Sequence, residues 1–352
     1  MCKTQVMQRI LKISLLLCSA AVVLCAQTAP ADLNIFLRNH LAFTPVDIGD
    51  LQRGQIVVKL PPSMEQREVD AFAISRLKVS PEFYASKFQD IVNFKKSDNV
   101  LEIGKFSNPP KIEDLSNLSL DPADIEAIRF CHINKCDLKM PARFIEQFMT
   151  SLDWTAPDYK ERANTLMREK LLEYVKGYLR GGNAELAEYR DKSYPLKLVD
   201  EFRSLLQPSP YMYDYTPEIE NYLETFPRTR PQDSQDFIYW SKEKFGLKPV
   251  ISITHVMIFK RPGPAGNDVV IASKGIYASH YFEASLGLTA LVHGPASDPS
   301  HSYLIYLNRS RADGLRGPLS GMKRALIGSS LREGARKNME MIRERLESEY
   351  HS

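Results

Sequence analysis

The periodicity of apolar residues in this chain changes twice, and the order of those changes limits the fold more than any other feature. β-rich or alternating runs occupy residues 54–60, 69–79 and 99–106, short amphipathic helical patterns fill 111–245, and β-type runs return over 249–309. A single helical stripe then closes the chain, carried by Leu331, Ala335, Met339, Ile342 and Leu346 within residues 319–349. Period two places one side of a strand against a core and period 3.6 does the same for a helix, so the pattern predicts a mixed α/β protein.

Local signals sharpen this reading. Ser80 before Pro81 is a helix N-cap pair, and Phe83, Tyr84, Phe88, Ile91 and Val92 continue at helical spacing to Asn93. Asp121-Pro122 and Pro141 open two further helices, and a longer one over 158–180 stops at Gly181-Gly182. Helices are also expected over 196–206 and 217–226, joined by a segment containing Tyr211, Tyr213 and Tyr215, whose rings serve either packing or ligand stacking. Strands are expected over 249–260, 268–282, 286–292 and 302–309, with residues 261–267 forming a hairpin loop.

The first residues have the form of an export signal. Lys3, Arg9 and Lys12 precede an uncharged run from Ile13 to Ala26, and small residues at Ala29 and Ala31 suit cleavage before Asp32, with cleavage after Ala26 as the second choice. The run falls short of the roughly 20 apolar residues of a membrane span, which disfavours the rival reading of an uncleaved anchor. Without those three leader cations, basic and acidic residues balance at 43 each. A nucleic-acid partner needs a concentrated basic face, so that class is set aside. Cys131 and Cys136 are the only cysteines beyond the leader. In an exported chain they are expected to form a local disulfide. The rival is metal binding by Cys131, His132 and Cys136, but a structural zinc site needs four ligands and no second cluster lies nearby.

The sequence of elements resembles the START-like helix-grip superfamily, in which a curved antiparallel sheet wraps around a long final helix. The resemblance implies an α+β fold whose sheet draws on residues 67–107 and 248–350, with 111–245 as a large all-helical insertion. It divides the chain into a leader at 1–31, an N-terminal part at 32–110, the insertion at 111–245 and a C-terminal part at 246–352. It also implies an apolar or lipid-like ligand held between sheet and helix.

The richest chemistry lies at 275–283. Read as one strand, it puts Ile276, Ala278, His280 and Phe282 on one face, and Tyr277, Ser279, Tyr281 and Glu283 on the other. His255 sits on a similar apolar face with Ile251, Ile253, Met257 and Phe259. His255 and His280, with Tyr277 and Tyr281, are therefore candidate polar contacts inside a ligand cavity, the alternative being satisfied core histidines. A hairpin register pairing residue 255 near 273 would leave the two histidines roughly 23 Å apart, too far to share a metal. Arg309, Arg311 and Arg316 lie where the last expected strand meets the final helix and could hold an anionic head group, the alternative being a solvated loop with an Arg311–Asp313 pair. No G-x-S-x-G elbow or glycine-rich phosphate loop is present, and no cofactor is implied. Three functions remain: ligand binding, a cyclase or hydrolase using His280 or Glu283 as base, or a protein partner engaged through 111–245.

Overall fold

The computed structural model describes residues 33–61, 65–207, 216–245, 248–263, 265–294, 300–315 and 320–351, with the side chains of 34–36, 40 and 320–327 outside the description. The leader at 1–31, Tyr211, Tyr213, Tyr215 and Arg316 lie outside the described residues.

The fold is α+β, an eight-stranded antiparallel sheet with a long C-terminal helix packed on it. In chain order the strands of the sheet are β1 (Val57–Lys59), β2 (Glu68–Leu77), β3 (Val100–Lys105), β6 (Ser234–Lys244), β7 (Pro249–Gly263), β8 (Gly266–Ala278), β9 (Phe282–His293) and β10 (Ser302–Ala312). They are arranged β1-β2-β10-β9-β8-β7-β6-β3, so both ends of the chain build one sheet. Helices α1 (Leu33–Leu41) and α2 (Pro45–Gln52) precede it, and α3 (Pro81–Gln89) and α4 (Ile91–Phe94) link β2 to β3. The insertion carries α5 (Pro122–Arg129), α6 (Ala142–Ser151), α7 (Tyr159–Gly181), α8 (Leu198–Leu206) and α9 (Pro217–Thr225), and α10 (Ser320–Tyr350) ends the fold.

The caps behave as their chemistry requires. Ser80 Oγ accepts from the Phe83 amide at 3.2 Å, and Asp121 Oδ1 accepts from the Ala123 amide at 2.9 Å. The helix expected over 81–93 is interrupted at Asp90 (ψ 63°), which divides it into α3 and α4.

Two further expectations are corrected. The insertion is not all-helical to residue 245: β6 occupies Ser234–Lys244, and a small pair, β4 (Glu188–Tyr189) with β5 (Leu196–Lys197), lies within it. In β6, Ile238 and Trp240 join one core while Phe237 and Tyr239 pack on the other, and a strand apolar on both faces shows no period of two. Trp240 is fully buried and donates to the Asp114 carbonyl at 2.8 Å. Its indole lies so close to β3 that a Cβ on Gly104 would stand 2.6 Å from Nε1. The second correction concerns 268–282, which is not one strand. β8 ends at Ala278, residues 279–281 turn with Tyr281 at φ 58°, and β9 starts at Phe282. No glycine, proline or asparagine marks this turn in the sequence. It is held instead by Ser279, whose hydroxyl accepts from the Ile251 amide at 3.0 Å, and by Tyr281, whose hydroxyl accepts from the Lys248 amide at 2.8 Å.

The sheet carries different layers on its two faces. The insertion covers β6–β9 through a core that includes Phe144, Phe148, Tyr174, Phe202, Ile253, Met257 and Leu286, while α1 and α2 cover β1, β2 and β10 on the same side through Leu37, Phe43, Phe72 and Ile305. The opposite face meets α3 and α10 through Tyr84, Ala73, Val256, Ile271, Leu304, Met339 and Leu346. Cys131 and Cys136 are bonded. For so short a ring, replacing both with serine is expected to cost about 2 kcal/mol, read as a lower urea midpoint with unchanged slope. Among the described residues no helix is long and apolar enough to cross a membrane.

Candidate functional site

The residues singled out from the sequence do not line the space between sheet and final helix. His255 is buried on the insertion side of β7, pairs across the sheet with Lys274, and sits between two tyrosines. Its Nδ1 is 3.0 Å from the Tyr178 hydroxyl and its Nε2 is 3.1 Å from that of Tyr222, which in turn donates to Asp236 at 2.9 Å. That chain fits a neutral ring protonated on Nε2. Burial accordingly pulls the His255 pKa below its usual value, against the pull of Asp236. His280 is in the β8–β9 turn, and its Nε2 lies 2.9 Å from Asp124 of α5. The two histidines are not brought together, and the observed partner of residue 255 is 274, one from the expected 273.

Tyr277 is also buried on the insertion side, donating to the Lys139 carbonyl at 3.1 Å, and Tyr281 is spent on the turn. Arg309 and Arg311 belong to β10, not to a loop, and both face the insertion. Arg309 binds Glu68, contacts Asp70 at 3.4 Å and donates to the Leu205 carbonyl at 2.6 Å. Arg311 reaches Glu65 and Glu201 at 2.9 Å each, and Asp313 pairs with Lys192 at 2.6 Å instead of with Arg311. The two arginines are thus neutralised by carboxylates and do not present a free anion site. The proposed bases are likewise engaged, His280 by Asp124 and the buried Glu283 by Arg67 at 2.6 Å. Among the described residues no group of three or more His, Cys, Asp or Glu side chains is placed to hold a metal.

The other face of the sheet is different. Thr254, Ser273, Ser285 and Asn308 lie on β7, β8, β9 and β10, the centre of the sheet, and each is half-exposed, whereas their neighbours His255, Lys274, Leu286 and Arg309 are buried on the insertion side. Register joins these positions into two rows. One runs Val69–Ser310–Ser285–Gly275–Thr254–Tyr239, and the next runs Ala71–Asn308–Gly287–Ser273–Val256–Phe237. Beyond them the same face is closed by Ile258, Ile271, Leu291 and Leu304, which are buried against α3 and α10, so polar and apolar residues divide it along its length.

On this face α10 packs over β1 and β2, and α3 packs over β8 and β9. Arg336 and Arg343 of α10 donate to the Ile56 and Gly54 carbonyls, and Arg345 donates to Phe94 of α4, each at 2.9 Å. At the polar end, Lys95 Nζ lies 2.7 Å from Glu243 Oε1 and 3.4 Å from the Tyr239 hydroxyl, and Ser241 donates to the same Glu243 oxygen at 2.6 Å. The Lys95 side chain keeps 27% of its surface accessible. Although burial opposes its charge, Tyr239 and Glu243 hold the Lys95 pKa above the ordinary lysine value.

Tyr306 on β10 joins this group. Burial raises its pKa, Lys95 lowers it, and Tyr239 and Glu243 raise it further. The signal in the sequence was the recurrence of Ser, Thr, Gly and Asn inside strand-forming runs, but only the register makes it a surface. No protein-family model matches this chain, and no curated protein matches it in sequence.

Proposed function

We propose that the protein binds a small amphipathic molecule in the trough between its sheet and α10, a use of the helix-grip arrangement that its order of elements resembles. One observation carries this reading: central strands of an eight-stranded sheet leave small polar side chains partly exposed on the α10 face, while their neighbours on the other face, His255, Lys274, Leu286 and Arg309, are buried. Mid-sheet serine, threonine and asparagine contribute little to packing, but they supply hydrogen-bond partners to a ligand. The polar group would sit near Lys95, Glu243, Thr254 and Ser285, with the apolar part toward the margin of the core that Ile258 and Ile271 form with Tyr84. The bonded Cys131–Cys136 pair fits an exported protein working in an oxidising compartment.

Native and denaturing mass spectra of protein purified from an oxidising compartment test this. A small molecule lost only on denaturation is expected. A Cβ at Gly287 would meet only ordinary contacts, the nearest at 3.5 Å from the Ser273 Cβ. Gly287→Leu should therefore fold and fill the trough, lowering ligand occupancy at least tenfold. A variant with unchanged secondary structure and full ligand occupancy would remove the trough from consideration.

A further inference from the structure

Resting on the trough reading, we infer that its polar end selects a neutral, hydroxyl-bearing head group over a carboxylate. The only described ion pair at that end is Lys95 with Glu243, separated by 2.7 Å. A carboxylate arriving at similar distance from both meets an attraction and a repulsion of comparable size, so the charges nearly cancel while the cost of taking the anion out of water remains. A hydroxyl fares better because it can accept from Lys95 and donate to Glu243 at once. The other polar groups of the sheet nearby are neutral donor-acceptors, Ser241, Thr254, Ser273, Ser285, Asn308 and the phenol of Tyr306, and the Arg345 guanidinium of α10 is turned to the Phe94 carbonyl and stacked on the Phe94 ring. Glu243 is thereby assigned as the specificity-determining residue, since it cancels a lysine that would otherwise recruit anions.

Three twelve-carbon probes that differ only at the head separate the outcomes: monolauroylglycerol, laurate and dodecylphosphocholine, titrated below their micelle thresholds at pH 8 by calorimetry. The glycerol head is expected to bind at least tenfold more tightly than laurate in the wild-type protein. Glu243→Gln keeps the shape and leaves Lys95 charged, and should raise laurate affinity at least tenfold. Lys95→Met should weaken monolauroylglycerol without admitting laurate, which keeps the inference testable if the first variant folds poorly. Tighter binding of laurate by the wild-type protein, or a head preference unmoved by Glu243→Gln, overturns the inference while leaving the trough in place. Absence of binding by all three probes overturns the trough reading and this inference with it.

Discussion

Replacing Lys274 with methionine is expected to stabilise the protein by roughly 2–4 kcal/mol at pH 6. Lys274 is only 1% exposed, and no ion pair reaches it among the described residues. Its amine donates to Asn183 Oδ1 and lies over the rings of Phe202, at 4.0 Å, and Tyr178, at 5.6 Å. Burial alone lowers its pKa from 10.5 to about 7. Between those two values the unfolded chain carries a proton that the folded chain lacks, so wild-type stability rises with pH across that window, and below it the full penalty applies. Methionine occupies a similar length against the same rings without a charge to desolvate. Asn183 loses one hydrogen bond but keeps those to the Leu223 and Glu224 carbonyls, at 2.8 Å each, which is why the expected gain is less than the whole shift would suggest. Urea unfolding of both proteins at pH 6, 8 and 10 checks this. The gap should be widest at pH 6 and narrow toward pH 10; a destabilised variant at pH 6 would mean that the ammonium is satisfied in the fold.

Arg309→Leu should act in the opposite direction, costing roughly 3–5 kcal/mol at neutral pH. Arg309 is 2% exposed and Glu68 is fully buried, with Glu68 Oε2 lacking a hydrogen-bond partner and only a 3.5 Å ion pair to Arg311 beside it. Burial pushes the Asp70 carboxyl well above the ordinary carboxylate range, Arg309 pulls it down, and Glu68 pushes it up again. Removing the guanidinium leaves both carboxylates to be carried in the interior as ions or held protonated. The loss should therefore be smaller at pH 5, where protonation is cheap, than at pH 8. Restoring electrical balance with Glu68→Leu in the same chain should recover much of the stability, because a buried pair is harder to halve than to replace. Equal losses at both pH values would show that the lost hydrogen bond to the Leu205 carbonyl, and not the charge balance, dominates.

How far function was legible follows the range of the forces involved. The sequence pattern puts His255 on an apolar strand face, as it is in the fold, but the layer that covers this face is the insertion and not the final helix. Periodicity states that a face is buried without naming what buries it. From the sequence, Arg309 ends a strand expected over 302–309 and Arg311 follows it, as candidate anion contacts or part of a solvated loop. They lie in a strand because Glu68 and Asp70 stand beside them on β2 and Glu201 approaches from α8, contacts that no local window contains. The candidate trough is not legible in the sequence for the same reason: Thr254, Ser273, Ser285 and Asn308 are unremarkable singly and form a surface only after four strands are in register.

Sequence alone determined what a few neighbouring residues can settle: the caps at Ser80 and Asp121, the bond between Cys131 and Cys136, the final helix, and an α+β fold carrying a helical insertion. Each rests on hydrogen bonds, ring closure or side-chain periodicity within a short stretch of chain. Only the tertiary structure decided the turn at 279–281, the inclusion of β6 in the sheet, and the division of its two faces between the insertion and α10. These depend on pairings such as Ile251 with Ser279, or Arg309 with Glu68, which gain their energy only when distant segments meet and water is excluded from between them.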